Sequence, residues 1–303
     1  MTNDKPYLGV MLMLGFCLLA PLGDSIAKFL GGVVALSMLI LVRFAVQAAV
    51  LLPYVVLSGK GLRLPPDILG WTLLRTVLHI LGIGLMFSAL RYLPLADALA
   101  IAFVMPFILL LLGRLVMGEQ VGLHRMVACV VGFVGTLLVI QPNFVAVGSP
   151  ALLPLGVAVV FALFMLVTRK IARRVDPVKL QAISGVQATV ILLGVLIVLP
   201  TTFGEISFQY EARTWVLLVA LGLIGTLAHL FMTWSLGFAP ASTLAPMQYL
   251  EIPFGTAIGW LVFGDLPNGL AALGILITVA AGLYVILRER RLAMQSARAP
   301  AAV

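Results

Sequence analysis

Residues 90–120, LRYLPLADALAIAFVMPFILLLLGRLVMGEQ, and residues 236–266, LGFAPASTLAPMQYLEIPFGTAIGWLVFGDL, are one passage written twice. At a constant offset of 146 the pairs Leu90/Leu236, Pro94/Pro240 and Gly118/Gly264 are identical, and Glu119/Asp265 keeps its charge. Further on, Leu137/Leu283, Val139/Val285 and Ile140/Ile286 match at the same offset, and Pro106 meets Pro253 after a one-residue insertion. Upstream, Leu8-Gly9-Val10 resembles Leu155-Gly156-Val157. Spacing held across an apolar run, a Gly-acid turn and a second apolar run divides the chain into two related halves.

What each half contains follows from composition. The 303 residues are 62% hydrophobic and only 10% charged, against roughly 45–50% apolar and about 25% charged in soluble domains. Such a chain cannot cover its surface in water, whereas a bilayer accepts apolar side chains on the outside. A membrane helix needs about 20 apolar residues. Runs of that kind lie at 7–30, 33–57, 68–90, 98–117 and 126–142, then at 151–168, 181–203, 215–236, 246–263 and 270–287. The expected fold class is therefore an all-α membrane protein of ten transmembrane helices. The first repeat covers 8–140, the second 151–287, and 288–303 form a tail. Five helices followed by five related ones place the second set upside down, giving the inverted repeats of secondary carriers, whose cargo sits near the midplane. The longest connections are about a dozen residues, too short for a soluble domain.

Charge sets the orientation. With the N-terminus inside, thirteen of the 19 Lys and Arg residues fall in cytoplasmic loops and only Arg91 and Arg213 outside, as the positive-inside rule requires. Multi-pass insertion in a bacterial inner membrane with both termini cytoplasmic is the expectation. The net charge of +8 then reports topology and attraction to anionic lipid headgroups, so no nucleic-acid partner is needed. The first apolar run continues to Phe29 and reads as a retained helix rather than a cleaved signal. Cys17 and Cys129 lie in apolar runs without CxxC or Cys/His spacing, which speaks against disulfides or metal. No cofactor is expected.

The stretch from Ser88 through Gln120, with GTLLVI at 135–140 beyond it, resembles the EamA domain of the drug/metabolite transporter superfamily, and the stretch from Ser235 to Asp265 resembles its second copy. The resemblance implies a ten-helix carrier whose central cavity opens alternately to either side. The GDSIAKFL segment at 23–30 is similar to a subgroup that includes bacterial riboflavin and S-adenosylmethionine uptake carriers. That implies riboflavin or a similar planar, polar metabolite as cargo, taken up, with S-adenosylmethionine or an amino acid, in either direction, as the alternative. The bilayer is the expected surrounding, and a homodimer is left open.

A charge near the bilayer centre costs about 2.5–3.5 kcal/mol on insertion scales, so each one asks for a partner or a wet cavity. Asp24 and Lys28, four apart, share a face of the first helix as either a self-neutralising pair or a cavity-facing one. Arg43 is expected to pair with Asp24 or Glu251. Arg75 and His79 share a face of the third span, with His79 a proton relay or a neutral interhelical donor; His229 on the eighth span has the same two readings. Arg114, one turn from a helix end, reads as a snorkeller. Glu251, in MQYLEIPFG before the helix-kinking Pro253, is the sharpest candidate for coupling protons or holding a cationic part of the cargo; a bridge to Arg43 or Arg75 is the structural alternative. Gln248 and Tyr249 join it, and Phe103 and Trp234 could stack on a planar cargo. There is no GxxxxGK[ST] loop for ATP, and no GxSxG, HExxH or paired intramembrane acids for an intramembrane enzyme.

Overall fold

In the computed structural model, which describes residues 5–59, 61–93, 95–119, 121–140, 149–198, 208–263 and 269–298, the described residues are almost entirely helical. The helices are α1 (Pro6–Leu30), α2 (Leu36–Leu57), α3 (Pro66–Tyr92), α4 (Leu95–Ala102), α5 (Met105–Met117) and α6 (Leu123–Ile140) in the first half. The second half has α7 (Leu152–Ile171), α8 (Pro177–Val198), α9 (Ala212–Phe238), the short α10 (Ala241–Leu244) running into a 3-10 turn (Ala245–Leu250), α11 (Glu251–Phe263) and α12 (Gly269–Arg298). Among the described residues, seven helices are long and apolar enough to cross a membrane singly. The remaining three spans are α4 with α5, α6, and α10 with α11. Prolines open several helices, at Pro6 of α1, Pro66 of α3 and Pro106 of α5, where a missing N–H costs nothing.

The expected fourth and ninth spans were continuous; both are broken. The segment read as a tail continues α12 as far as Arg298. The outer surface is apolar, with Leu57, Ile197, Leu261 and Leu276 more than 65% exposed, the pattern of a bundle solvated by lipid.

Packing obeys the twofold relation that the repeat implies. α1 lies along α9 as α7 lies along α3, α2 meets α9 as α8 meets α3, and α5 meets α7 as α11 meets α1. The pairs α2–α8 and α6–α12 map onto themselves. Two of these crossings are too close for a side chain: a Cβ on Gly222 of α9 would stand 2.5 Å from Cβ of Val46, and one on Gly135 of α6 would stand 2.9 Å from the Gly274 carbonyl.

Candidate transport site

The two broken spans are interrupted at equivalent places. α5 resumes at Met105, and α11 resumes at Glu251, 146 residues later. At the first break the Phe107 N–H bonds to Val104 O at 3.1 Å, which frees the Phe103 carbonyl. That carbonyl accepts from the Tyr249 hydroxyl at 3.3 Å, so a side chain of the second break closes the first. Tyr249 is wholly buried, its ring centroid 5.7 Å from that of Phe103 and its oxygen 3.6 Å from Cys129 Sγ. Broken helices in matching positions of two halves mark the binding region of carriers.

A cavity of about 80 Å³ lies against both breaks. Its walls include the rings of Phe16, Phe103 and Phe161, with Ile83 and Met86 of α3. Three polar side chains face it: Asp24 from α1, His229 from α9 and Glu251 from α11. Glu251 opens α11 directly after the 3-10 turn, and its own N–H bonds back to the Gln248 and Tyr249 carbonyls. Among the described residues no ion pair or hydrogen bond engages the carboxylate of Glu251 or of Asp24.

Next to the cavity is a buried polar layer. One turn along α3 from Ile83, the His79 ring stacks between Phe164 at 4.6 Å and His229 at 4.3 Å, with Phe44 edge-on at 4.9 Å. Neither His79 nitrogen has a hydrogen-bond partner. A further turn along, Arg75 is fully buried and donates to four neutral oxygens: Thr168 Oγ1 at 2.9 Å, Ser184 Oγ at 2.8 Å, Gln181 Oε1 at 3.1 Å and Thr233 Oγ1 at 3.1 Å. Its guanidinium also lies over the Phe164 ring at 4.7 Å. Arg43 donates to Gln47 Oε1 at 3.1 Å, to the Gly225 carbonyl at 2.9 Å and to His229 Nδ1 at 3.0 Å. It fits there because Gly225 has no side chain; a Cβ would overlap its Nε and Cζ.

Several sequence expectations change. No ion pair joins Arg43 to Asp24 or Glu251, or Arg75 to Glu251, because both arginines spend their donors on neutral oxygens and on His229. His79 makes no interhelical hydrogen bond. Lys28 donates to the Leu93 carbonyl at 3.1 Å, fastening α1 to the end of α3. Trp234 packs on Phe231 at 6.3 Å, away from the cavity lining. Gln248 is buried, with Nε2 3.0 Å from Met165 Sδ and its oxygen unpartnered. Arg114 is exposed, as a snorkeller would be. Sequence reasoning left His229 out of the site, and it passed over Phe16 and Phe161 and the acceptors Thr168, Gln181, Ser184 and Thr233. The repeat offset held a signal for His229: it pairs with Ile83, and both line the cavity.

The two halves are tied together at the end where α1 starts and α12 finishes. Gly118, with φ of 64°, ends α5 in the left-handed conformation and sets Glu119 beyond it. The Glu119 carboxylate accepts from the Ala241 N–H at 3.1 Å and the Ser242 N–H at 2.8 Å, and stands 3.8 Å from Arg169 Nε. Arg169 in turn donates to the Leu236 carbonyl at 2.7 Å. Apart from Phe16, which sits near the middle of α1, the cavity residues of α1, α3 and α7 lie in the helix halves remote from this closure.

Comparison with known proteins gives the same picture. The model of the EamA-like transporter family matches residues 7–141 and again 148–288. A riboflavin transporter of Vibrio cholerae is 28% identical over 290 residues, covering 93% of this chain and 94% of the relative. An S-adenosylmethionine uptake transporter of Rickettsia prowazekii is 25% identical over 295 residues, covering 95% and 97%. A solved crystal structure superposes with a TM-score of 0.71 at 22% identity, covering 94% of this chain and 97% of the other, which supports the fold. Two matched family domains, inverted about a pair of broken helices, have one reading: the chain belongs to the EamA-like transporter family and is a membrane transporter of small metabolites, not an enzyme.

Proposed function

We propose that the protein is a secondary carrier that takes up riboflavin, or a metabolite of similar planar and polar shape, across the inner membrane with both termini in the cytoplasm. The observation that carries this reading is a cavity with aromatic walls, from Phe16, Phe103 and Phe161, into which Asp24 and Glu251 project without partners. Flat rings suit the aromatic walls, and the two carboxyl groups suit hydroxyl or N–H donors. In this reading the end held by Glu119 and Arg169 faces the cytoplasm, and the cavity is the outward branch of the pathway. Pockets that enclose drug-sized ligands run about 300–1,000 Å³, so the conformation described is contracted and admits cargo only as the helices part. Asp24 and Glu251 bind the cargo or exchange a proton with it, Phe103 stacks on it, and Arg43, Arg75 and His79 hold the wall in place, with Tyr249 fastening the breaks.

Labelled riboflavin uptake into proteoliposomes, together with rescue of a riboflavin auxotroph, tests the reading. Glu251→Gln and Asp24→Asn are expected to insert normally and lose or uncouple transport. Full transport by both variants would remove them from the site. A second reading, S-adenosylmethionine, is favoured by the two unpartnered acids, which suit a cationic cargo. Competition of each compound against uptake of the other separates the two.

A further inference from the structure

The contacts of His229 Nδ1 bear on which of its nitrogens carries the proton. Arg43 Nη2 stands 3.0 Å from His229 Nδ1, and guanidinium nitrogens only donate. The Gly225 carbonyl is also 3.0 Å from Nδ1. A protonated Nδ1 aimed at that carbonyl would set two donors against each other at the Arg43 contact. The carbonyl, moreover, already accepts from Arg43 at 2.9 Å. An unprotonated Nδ1 sets its lone pair beside the same carbonyl, but the one Arg43 Nη2 then bridges both acceptors, so we assign Nδ1 as the acceptor and the single proton to Nε2.

That Nε2–H is buried, on a residue only 5% exposed, and has no hydrogen-bond partner. A buried donor left unmade costs about 1–3 kcal/mol. Nearby rings offer little relief: Phe16 and Phe161 stand nearly perpendicular to the imidazole at 5.7 and 5.9 Å, and an N–H over an aromatic face is a weak bond. His79, stacked on the other side, supplies a ring face and no acceptor in reach. Yet His229 forms part of the cavity wall together with Asp24 and Glu251.

Resting on the carrier reading above, we propose that His229 is a specificity-determining residue. Held by Arg43 as the Nε2–H tautomer, it donates one hydrogen bond to a carbonyl oxygen or ring nitrogen of a planar cargo, while Asp24 and Glu251 take donors of the same molecule. The cargo class this selects is a flat heterocycle bearing acceptor and donor groups side by side. A purely aliphatic amino acid lacks the ring acceptor and is discriminated against, since a site built to hydrogen-bond a group rejects analogues without it.

The chain has only three histidines, so 15N-histidine labelling in nanodiscs resolves each imidazole, and the His229→Asn spectrum assigns this one. The expected spectrum shows a pyridine-like Nδ1 and a pyrrole-like Nε2 for His229 before any cargo is added. Riboflavin and S-adenosylmethionine are then added separately, and the transported one shifts the Nε2–H resonance. His229→Asn keeps an amide oxygen for Arg43 but removes the donor, and should raise KM roughly three- to tenfold with the maximal rate largely kept, as loss of one neutral hydrogen bond implies. His229→Gln, whose amide nitrogen falls near the lost Nε2, should recover part of this. A protonated Nδ1, no shift with either compound, or an unchanged KM in His229→Asn overturns the proposal. A shift with S-adenosylmethionine alone upholds the donor and overturns riboflavin as the cargo.

Discussion

Arginine 75 should not tolerate lysine, although the charge is the same. The guanidinium carries four hydrogen bonds that tie α3 to Thr168 of α7, to Gln181 and Ser184 of α8, and to Thr233 of α9. Interhelical hydrogen bonds within membranes average about 0.6 kcal/mol and reach about 1.7 kcal/mol. Four of them together give roughly 2.5–7 kcal/mol, set against about 2.5–3.5 kcal/mol for placing the charge there. Lysine keeps that cost and offers three donors from one point, with nothing in the place of Nε–H, so at least the Thr168 bond is lost and the other three acceptors, set around a planar fork, are poorly met. The expected loss is about 1–3 kcal/mol of stability. Heating the purified protein in detergent and following the monodisperse fraction by fluorescence-detected size exclusion measures it. A double-mutant cycle with Ser184→Ala isolates one bond and should give a coupling of about 0.6–1.7 kcal/mol. An unchanged melting temperature in Arg75→Lys, or strictly additive effects in the cycle, would refute the view that this arginine is a structural clamp.

Tyr249→Phe leaves the Phe103 carbonyl without its partner and should cost about 1 kcal/mol, near the low end for a 3.3 Å bond; Cys129→Ala, the control at the same hydroxyl, should cost less, and the same melting assay ranks them. Gly225→Ala puts a Cβ into the Arg43 guanidinium and should abolish uptake with insertion intact, whereas Gly194→Ala, where a Cβ meets nothing within 4 Å, should transport normally. Glu119→Gln weakens the contacts to the Ala241 and Ser242 N–H groups and to Arg169, and should open the terminus-bearing end. Faster maleimide labelling of Ser242→Cys in that background reports the opening, and unchanged labelling would show the closure is held elsewhere.

The fold was legible because its signals are long and redundant. Apolar runs of membrane length, thirteen basic residues on one side and a repeat at offset 146 each point to ten helices in two inverted halves. The breaks were less legible: FVMPF is as apolar as a continuous helix, the polar residues of PMQYLEIPF read as a site rather than a break, and a proline near a start and one near a kink look alike. The site was legible by type more than by partner. Burial of Arg43, Arg75, His79 and Glu251 follows from their position in apolar runs. Which groups meet depends on helix rotation, and the eye reads an arginine as wanting a carboxylate. Here neutral side chains and a backbone carbonyl exposed by Gly225 satisfied the arginines first, which left both acids for the cavity.

The departures from symmetry carry the chemistry. At offset 146, Ile83 and His229 are equivalent and both line the cavity; so are Met105 and Glu251. In each pair the first repeat supplies an apolar side chain and the second a polar one. The remaining equivalences run the other way: Arg75 stands where the second half has Leu221, and His79 where it has Gly225. Features kept in both halves, namely the helix breaks and the packing exchanged between halves, are those that rocking two inverted units against each other requires. Features kept in one half serve a cargo that is itself asymmetric. A carrier with identical halves would meet a flat molecule with the same groups from both sides, and could orient it no better one way than the other. The first half supplies Asp24 and the ring of Phe103 while the second supplies Glu251, His229 and Phe161, so a molecule with distinct edges has one way to lie between them. Restoring local symmetry, with His229→Ile and Glu251→Met together, should therefore keep the fold, with a melting temperature lowered only by the lost His229–Arg43 bond, while removing discrimination between cargos along with their affinity.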